Sequence, residues 1–299
     1  MPELATIPAN GSTKCLPAGW FTAPAAVLLV VLVLAPLLLV VAIGFTNWQL
    51  GAHEARFVAL SSYVELFNEP DFLRAAANTG RYIALVVPLT TLAGLIAALL
   101  IAGLRHGAEF YRLVFFMPSV ATLAAMAVAW QTLLSPTVGA LPQVMQLLGL
   151  KPGNWLQDPD LALPVLALIG VWAEFGFAML FFLAGLKSLP RDLDEAAALD
   201  GLSSVWDRLT HVVLPHLAPI LLFTVLFTTL HALRVFDTVA IITRGGPEKS
   251  TLMILYYIYQ EGFSLFRTHL AACASVLFAV VVLGLSLIQF RLGKAGGAA

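Results

Sequence analysis

Apolar residues gather in six long windows, about 21–45, 82–104, 113–134, 161–186, 216–239 and 269–290, separated by polar or charged stretches. A helix that crosses a bilayer needs about 20 mostly apolar residues, and each window is long enough. Each is also too long for a buried strand, and irregular backbone in lipid would leave unsatisfied amides costing several kcal/mol each. The pattern predicts an all-α integral membrane protein with six transmembrane helices. Pro36, Pro88 and Pro118 fall in or near these runs, where membrane helices tolerate proline at the cost of a kink. The first window exceeds the roughly 7–15 apolar residues of a signal peptide and has no clear small-residue cleavage site after it, so it reads as a retained span.

Composition narrows the classes. Of 299 residues, 60% are hydrophobic and 11% charged, against about 45–50% and 25% in an ordinary soluble domain. With a mean hydropathy of +0.91, too little polar surface remains to cover a soluble core. A soluble enzyme, a disordered chain and a disulfide scaffold are excluded. Sixteen basic residues against 17 acidic ones give no footprint for nucleic acid. Cys15 sits in a polar tail and Cys273 in an apolar run, so they read as unpaired thiols and not as a metal site.

Six spans put both termini on one side. With the termini cytoplasmic, the inside segments hold eight basic residues in 66 positions and the outside segments seven in 91, a modest bias in the expected direction. The chain divides into a cytoplasmic tail over 1–20, a membrane domain over 21–290 and a second cytoplasmic tail over 291–299.

One connection is too long to be only a connection. Residues 187–215, between spans four and five, carry helix signals of their own. Pro190 followed by Asp192, Asp194 and Glu195 marks a helix start with acidic residues in its first turn. Gly201 suits a helix end. Val205, Trp206 and Leu209 then form an apolar stripe on a second short helix, which Pro215 closes. Such a helix–turn–helix is either a handle for a cytoplasmic partner or an amphipathic hairpin on the headgroups.

The run Glu195-Ala196-Ala197, with Gly201 and then Val212-Val213-Leu214-Pro215, resembles the EAA loop of ABC-importer permeases. The likeness extends over roughly 24–290. It includes Phe45-Thr46-Asn47-Trp48, Leu60-Ser61-Ser62-Tyr63, Asn78-Thr79, Phe115-Phe116-Met117-Pro118-Ser119, Gly176-Phe177 and Thr243-Arg244-Gly245-Gly246-Pro247. Together these resemble the carbohydrate branch of the family, the maltose and glycerol-phosphate kind. The chain has ten residues between Gly201 and Val212, where the family usually has nine, and one extra residue turns a helix by about 100° unless a loop absorbs it.

The resemblance implies a permease subunit of an importer in the bacterial inner membrane. It implies a second homologous permease, two ATPase subunits and a soluble binding protein as partners. Coupling to the ATPases falls to Glu195, Ala196, Ala197, Asp200 and Gly201. No G-x-x-x-x-G-K-[ST] run occurs in the chain, so ATP and Mg belong to the partner ATPases and the chain itself is not an enzyme.

Charged residues inside spans normally face a bundle interior or a water-filled cavity, because each costs about 2.5–3.5 kcal/mol at a helix centre. Glu174, His231, Arg234 and Asp237 are the candidates. Glu174 shares a face with Phe177 and Phe181, and a carboxylate beside aromatic rings can hold sugar hydroxyls while a ring stacks on the apolar sugar face. Alternatively Glu174 pairs with a group on the partner permease. Arg234 and Asp237, three apart, are expected to neutralise each other. His231 and Thr228 share a face of span five and complete the candidate substrate contacts. The competing class is a stand-alone secondary transporter or channel for a small polar solute. That class predicts inverted repeats and an ionisable relay, and neither is evident in the sequence.

Overall fold

In the computed structural model, residues 18–52, 54–151, 153–190 and 204–296 are described. Among them the elements are helical. Five helices are long and apolar enough to cross a membrane: α1 (Thr22–Gly44), α3 (Pro70–Ala102), α7 (Ala162–Lys187), α8 (Trp206–Leu233) and α10 (Thr268–Arg291). A bent pair, α4 (Ala108–Val120) and α5 (Leu123–Leu133), meets at 95° and is together long and apolar enough to make a sixth. Shorter helices α2 (Ser61–Asn68), α6 (Ala140–Leu147) and α9 (Ile254–Tyr259) lie in the connections. The segments 45–69, 134–161 and 234–267 share one end of the bundle, the loop-rich end. The start of α1, the end of α7 at Lys187, the start of α8 and the end of α10 share the other.

Three expectations need correction. The third window is broken: Ala121 and Thr122 are extended, with ψ of 144° and 131°, so the chain turns sharply three residues after Pro118. The Ser119 hydroxyl donates to the Ala173 carbonyl of α7 at 2.7 Å, pinning the bend to that helix. The fifth span starts ten residues earlier than its apolar window and ends at Leu233, before Arg234. Finally, Trp206 and Leu209 do not belong to a separate helix closed by Pro215, because Val205–Arg208 runs through a π turn, Leu209–Val213, into the span itself.

That π turn has a physical reason. Its closing bond runs from the Leu214 N–H to the Leu209 carbonyl, one residue before Pro215. The α1 π turn, Val30–Leu34, closes from the Ala35 N–H to the Val30 carbonyl, one residue before Pro36. A proline ring clashes with the carbonyl four residues back, and a widened turn relieves that clash without ending the helix. The expected kink at Pro36 is therefore a π turn, while Pro88 lies inside an unbroken α3.

The frame is α3 against α7. At Gly94 of α3 an added Cβ would stand 2.5 Å from the Ala178 Cβ and 2.8 Å from the Met179 nitrogen. Small residues let membrane helices approach until backbone meets backbone, where dispersion and not water expulsion holds them. Near the termini Ile101, Met179, Phe182 and Leu217 form one buried cluster; near the loops Leu66, Leu166, Met253 and Tyr257 belong to another. The loops are tied down by polar contacts. Asn78 donates to the carbonyls of Lys249 and Leu252 at 2.9 and 3.1 Å. Arg267 bonds Glu261 at 2.6 and 2.7 Å and Glu69 at 3.3 Å. Cys273 is a free, buried thiol donating to the Gly44 carbonyl, whereas Cys15 lies outside the described residues.

Candidate functional site

Glu174 projects from the middle of α7, flanked by Ala173 and Gly176, where the bend of α4 crosses closely: an added Cβ at Gly176 would stand 2.7 Å from both the Phe115 carbonyl oxygen and the Ser119 hydroxyl. His231 sits in the last turn of α8. Their side chains meet, His231 Nδ1 lying 3.3 Å from Glu174 Oε1, with 41% and 18% of the side chains exposed. The imidazole stacks on Phe227 of its own helix, centroids 4.3 Å apart and planes 29° off parallel. Phe177 stands 6.4 Å from the imidazole and 5.9 Å from Phe227, and meets Phe116 of α4 edge-on at 5.3 Å. Phe181 and Phe223 extend the aromatic wall toward the terminal end.

A cavity of about 240 Å³ opens beside the pair, lined by Tyr82, Gly170, Glu174, His231, Arg234, Asp237 and Thr238 among others. Tyr82 of α3 is almost wholly buried and its hydroxyl lies over Gly170, where a Cβ would come within 2.3 Å. Glu174 Oε2 and Thr238 Oγ1 are buried without a hydrogen-bond partner. An unpaired buried polar atom costs about 1–3 kcal/mol, so these atoms are poised to take a partner. The Glu174 carboxylate, Thr238 and the rings of Tyr82 and Phe236 line the cavity together. That combination suits a ligand with hydroxyl groups on one face and C–H groups on the other.

The sequence-predicted Glu174, Phe177 and His231 come together. Thr228 does not join them: it is 1% exposed, and its hydroxyl donates to the Thr224 and Val225 carbonyls at 2.8 and 3.1 Å. Arg234 and Asp237 both line the cavity but form no ion pair with each other. The helix stops between them, at Arg234 (φ −87°, ψ 12°), which destroys the three-residue spacing that the pairing needed. Glu195, Ala196, Ala197, Asp200 and Gly201 lie outside the described residues. Phe227 was missed, although its place four before His231 was a readable signal. Tyr82 and Thr238 come from distant elements and had none.

The family described as binding-protein-dependent transport system inner membrane component matches residues 90–294. The sn-glycerol-3-phosphate transport system permease protein UgpA of Pectobacterium atrosepticum is 35% identical over 240 residues, covering 79% of this chain and 80% of that one. A "Probable ABC transporter permease protein YurN" of Bacillus subtilis is 28% identical over 92% of this chain and 95% of its own. In fold, the chain is similar to one in the crystal structure of a bacterial ABC transporter involved in the import of the acidic polysaccharide alginate. The TM-score is 0.81 at 22% identity, over 94% of this chain and 98% of that one. A chain of the bacterial alginate ABC transporter in complex with alginate pentasaccharide-bound periplasmic protein is similar at a TM-score of 0.80 and 22% identity, over 94% and 96%.

Proposed function

Because the chain belongs to the family of inner membrane components of binding-protein-dependent transport systems, we propose that it moves a sugar or related polyol through the cavity beside Glu174. It is the membrane-embedded permease of an ATP-driven importer. In the proposed assembly it pairs with a second, homologous permease, stands on two ATPase subunits and receives substrate from a soluble binding protein. The ATPases hold ATP and Mg. The loop-rich end faces the binding protein outside, and the termini are cytoplasmic. Residues Glu195, Ala196, Ala197, Asp200 and Gly201 grip the ATPase, and its closure reaches span five through the helix that begins at Val205. The π turn at Leu209–Val213 holds one residue more than an α turn, which accommodates the ten-residue spacing after Gly201 without rotating the rest of the span.

One observation carries the substrate class: the carboxylate of Glu174, with one oxygen on His231 and the other unpartnered, beside Phe177 and a cavity of about 240 Å³. Glu174 and His231 accept and donate to substrate hydroxyls, and Phe177 offers its ring to the apolar face. Alternating access then opens this cavity to one side at a time. The test is uptake by proteoliposomes holding the co-purified assembly, with binding protein outside and ATP within. Neutral sugars or polyols are taken up, only with ATP, and Glu174→Gln slows them at least tenfold while the subunits still co-purify. Transport by this chain alone without ATP, or unchanged kinetics in Glu174→Gln, overturns the reading.

A further inference from the structure

A groove of about 600 Å³ lies at the loop-rich end, away from the site above, between α3, the start of α7 and the 244–252 loop. Its size is within the roughly 300–1,000 Å³ of small-molecule sites. Its polar wall carries Arg74, Arg81, Asp160 and Glu248, two charges of each sign; its floor is Ala84, Leu85, Leu163 and Pro164.

The placement of these groups follows from helix geometry. Arg74, Asn78, Arg81 and Leu85 are spaced by four, three and four residues, hence on one face of α3. Asn78 is spent holding the loop as the far wall of the groove. Arg74 gives one N–H to the Glu248 carbonyl at 3.0 Å. Neither Arg81 nor Asp160 forms an ion pair among the described residues, although both line the groove. Below Leu85 the same face continues as Leu89, Leu92, Ile96 and Leu100, all exposed. Charged wall and apolar stripe therefore meet where the apolar part of α3 begins, the level at which a bilayer changes from headgroup to chain.

We propose that this groove binds the headgroup of a phospholipid bearing both a phosphate and a primary ammonium, with its acyl chain along the leucine stripe of α3. The guanidinium groups of Arg74 and Arg81 take the phosphate, which their planar forks suit. The carboxylates of Asp160 and Glu248 take the ammonium. A free anion would leave both carboxylates facing like charge, and a soluble acidic peptide would leave the stripe uncovered. A zwitterion with a hydrocarbon tail meets all three features.

Native mass spectrometry of the full chain with its co-purifying subunits, stripped of lipid and titrated with dioleoyl phosphatidylethanolamine, dioleoyl phosphatidylglycerol or inorganic phosphate, tests this. Phosphatidylethanolamine adducts should outlast phosphatidylglycerol adducts, Arg81→Gln should cut them about fivefold, and inorganic phosphate should not displace them. Asp160→Asn, at an exposed position that leaves folding intact, should erase the preference between the two lipids. Undiminished adducts in Arg81→Gln, an unchanged preference in Asp160→Asn, or displacement of lipid by phosphate each overturns the proposal. Should Arg81→Gln fail to assemble, the loss or survival of preference in Asp160→Asn and Glu248→Gln decides alone.

Discussion

Two glycines of α3 should respond oppositely to the same substitution. At Gly80 an added Cβ meets nothing within 4 Å, whereas at Gly94 it would stand 2.5 Å from Ala178 Cβ, 2.8 Å from Met179 N and 2.9 Å from Ala178 C. Ordinary contact begins near 3.4 Å, so α3 and α7 must separate by nearly 1 Å at Gly94, and the obstructing atoms are backbone and Cβ, which cannot rotate away. Alanine gains about 1 kcal/mol over glycine in a helix interior at either position. At Gly94 this is set against overpacking of about 2–3 kcal/mol, the upper part of the usual range because no side-chain rotation relieves it. Gly80→Ala should therefore stabilise by up to about 1 kcal/mol and Gly94→Ala destabilise by about 1–2 kcal/mol. Thermal unfolding in detergent, followed by the loss of monodisperse protein, reads both. If Gly94→Ala matches or exceeds the wild type, the backbone-close packing of α3 on α7 is wrong.

Other outcomes follow from the same geometry. Thr228→Val should leave substrate uptake within about twofold of wild type, because the residue is 1% exposed and its hydroxyl is bonded to its own helix. Phe227→Ala, which removes the ring beneath His231, should slow uptake about tenfold while the subunits still co-purify. Asn78→Ala should cost about 2–3 kcal/mol in thermal unfolding and hasten proteolysis in the 244–252 loop, since two carbonyls lose their buried donor. Glu261→Gln should lower the unfolding temperature more than Glu54→Gln does, because Glu261 is 2% exposed on Arg267 while Glu54 and Arg56 pair in water.

The bilayer made much of this fold legible. Apolar runs of about 20 residues leave few alternatives to spanning helices, and five continuous spans and the bent pair answer to the six windows. What hydropathy could not register was backbone geometry within an apolar run. The break at Ala121–Thr122, the two π turns before Pro36 and Pro215, and the stop at Arg234 leave composition unchanged. The last of these dissolved the expected Arg234–Asp237 pair and set both residues around the cavity instead. Glu174 was readable because a lone mid-span carboxylate is costly and must face something polar. Phe177 and His231 followed from helical spacing and rarity. Tyr82 and Thr238 were not readable, because a tyrosine at the head of one span and a threonine beyond the end of another share a site only through tertiary packing.

In the proposed transport cycle, the Glu174 cavity is the place where substrate is held in the membrane. A cryo-electron microscopy structure of the assembled importer, trapped during turnover with its sugar, tests that most directly. A sugar ring should lie against Phe177, with a hydroxyl in hydrogen-bond reach of Glu174 Oε2, the oxygen unpartnered here. Substrate density elsewhere in the pathway, with Glu174 Oε2 bonded to a side chain of the second permease, would contradict it.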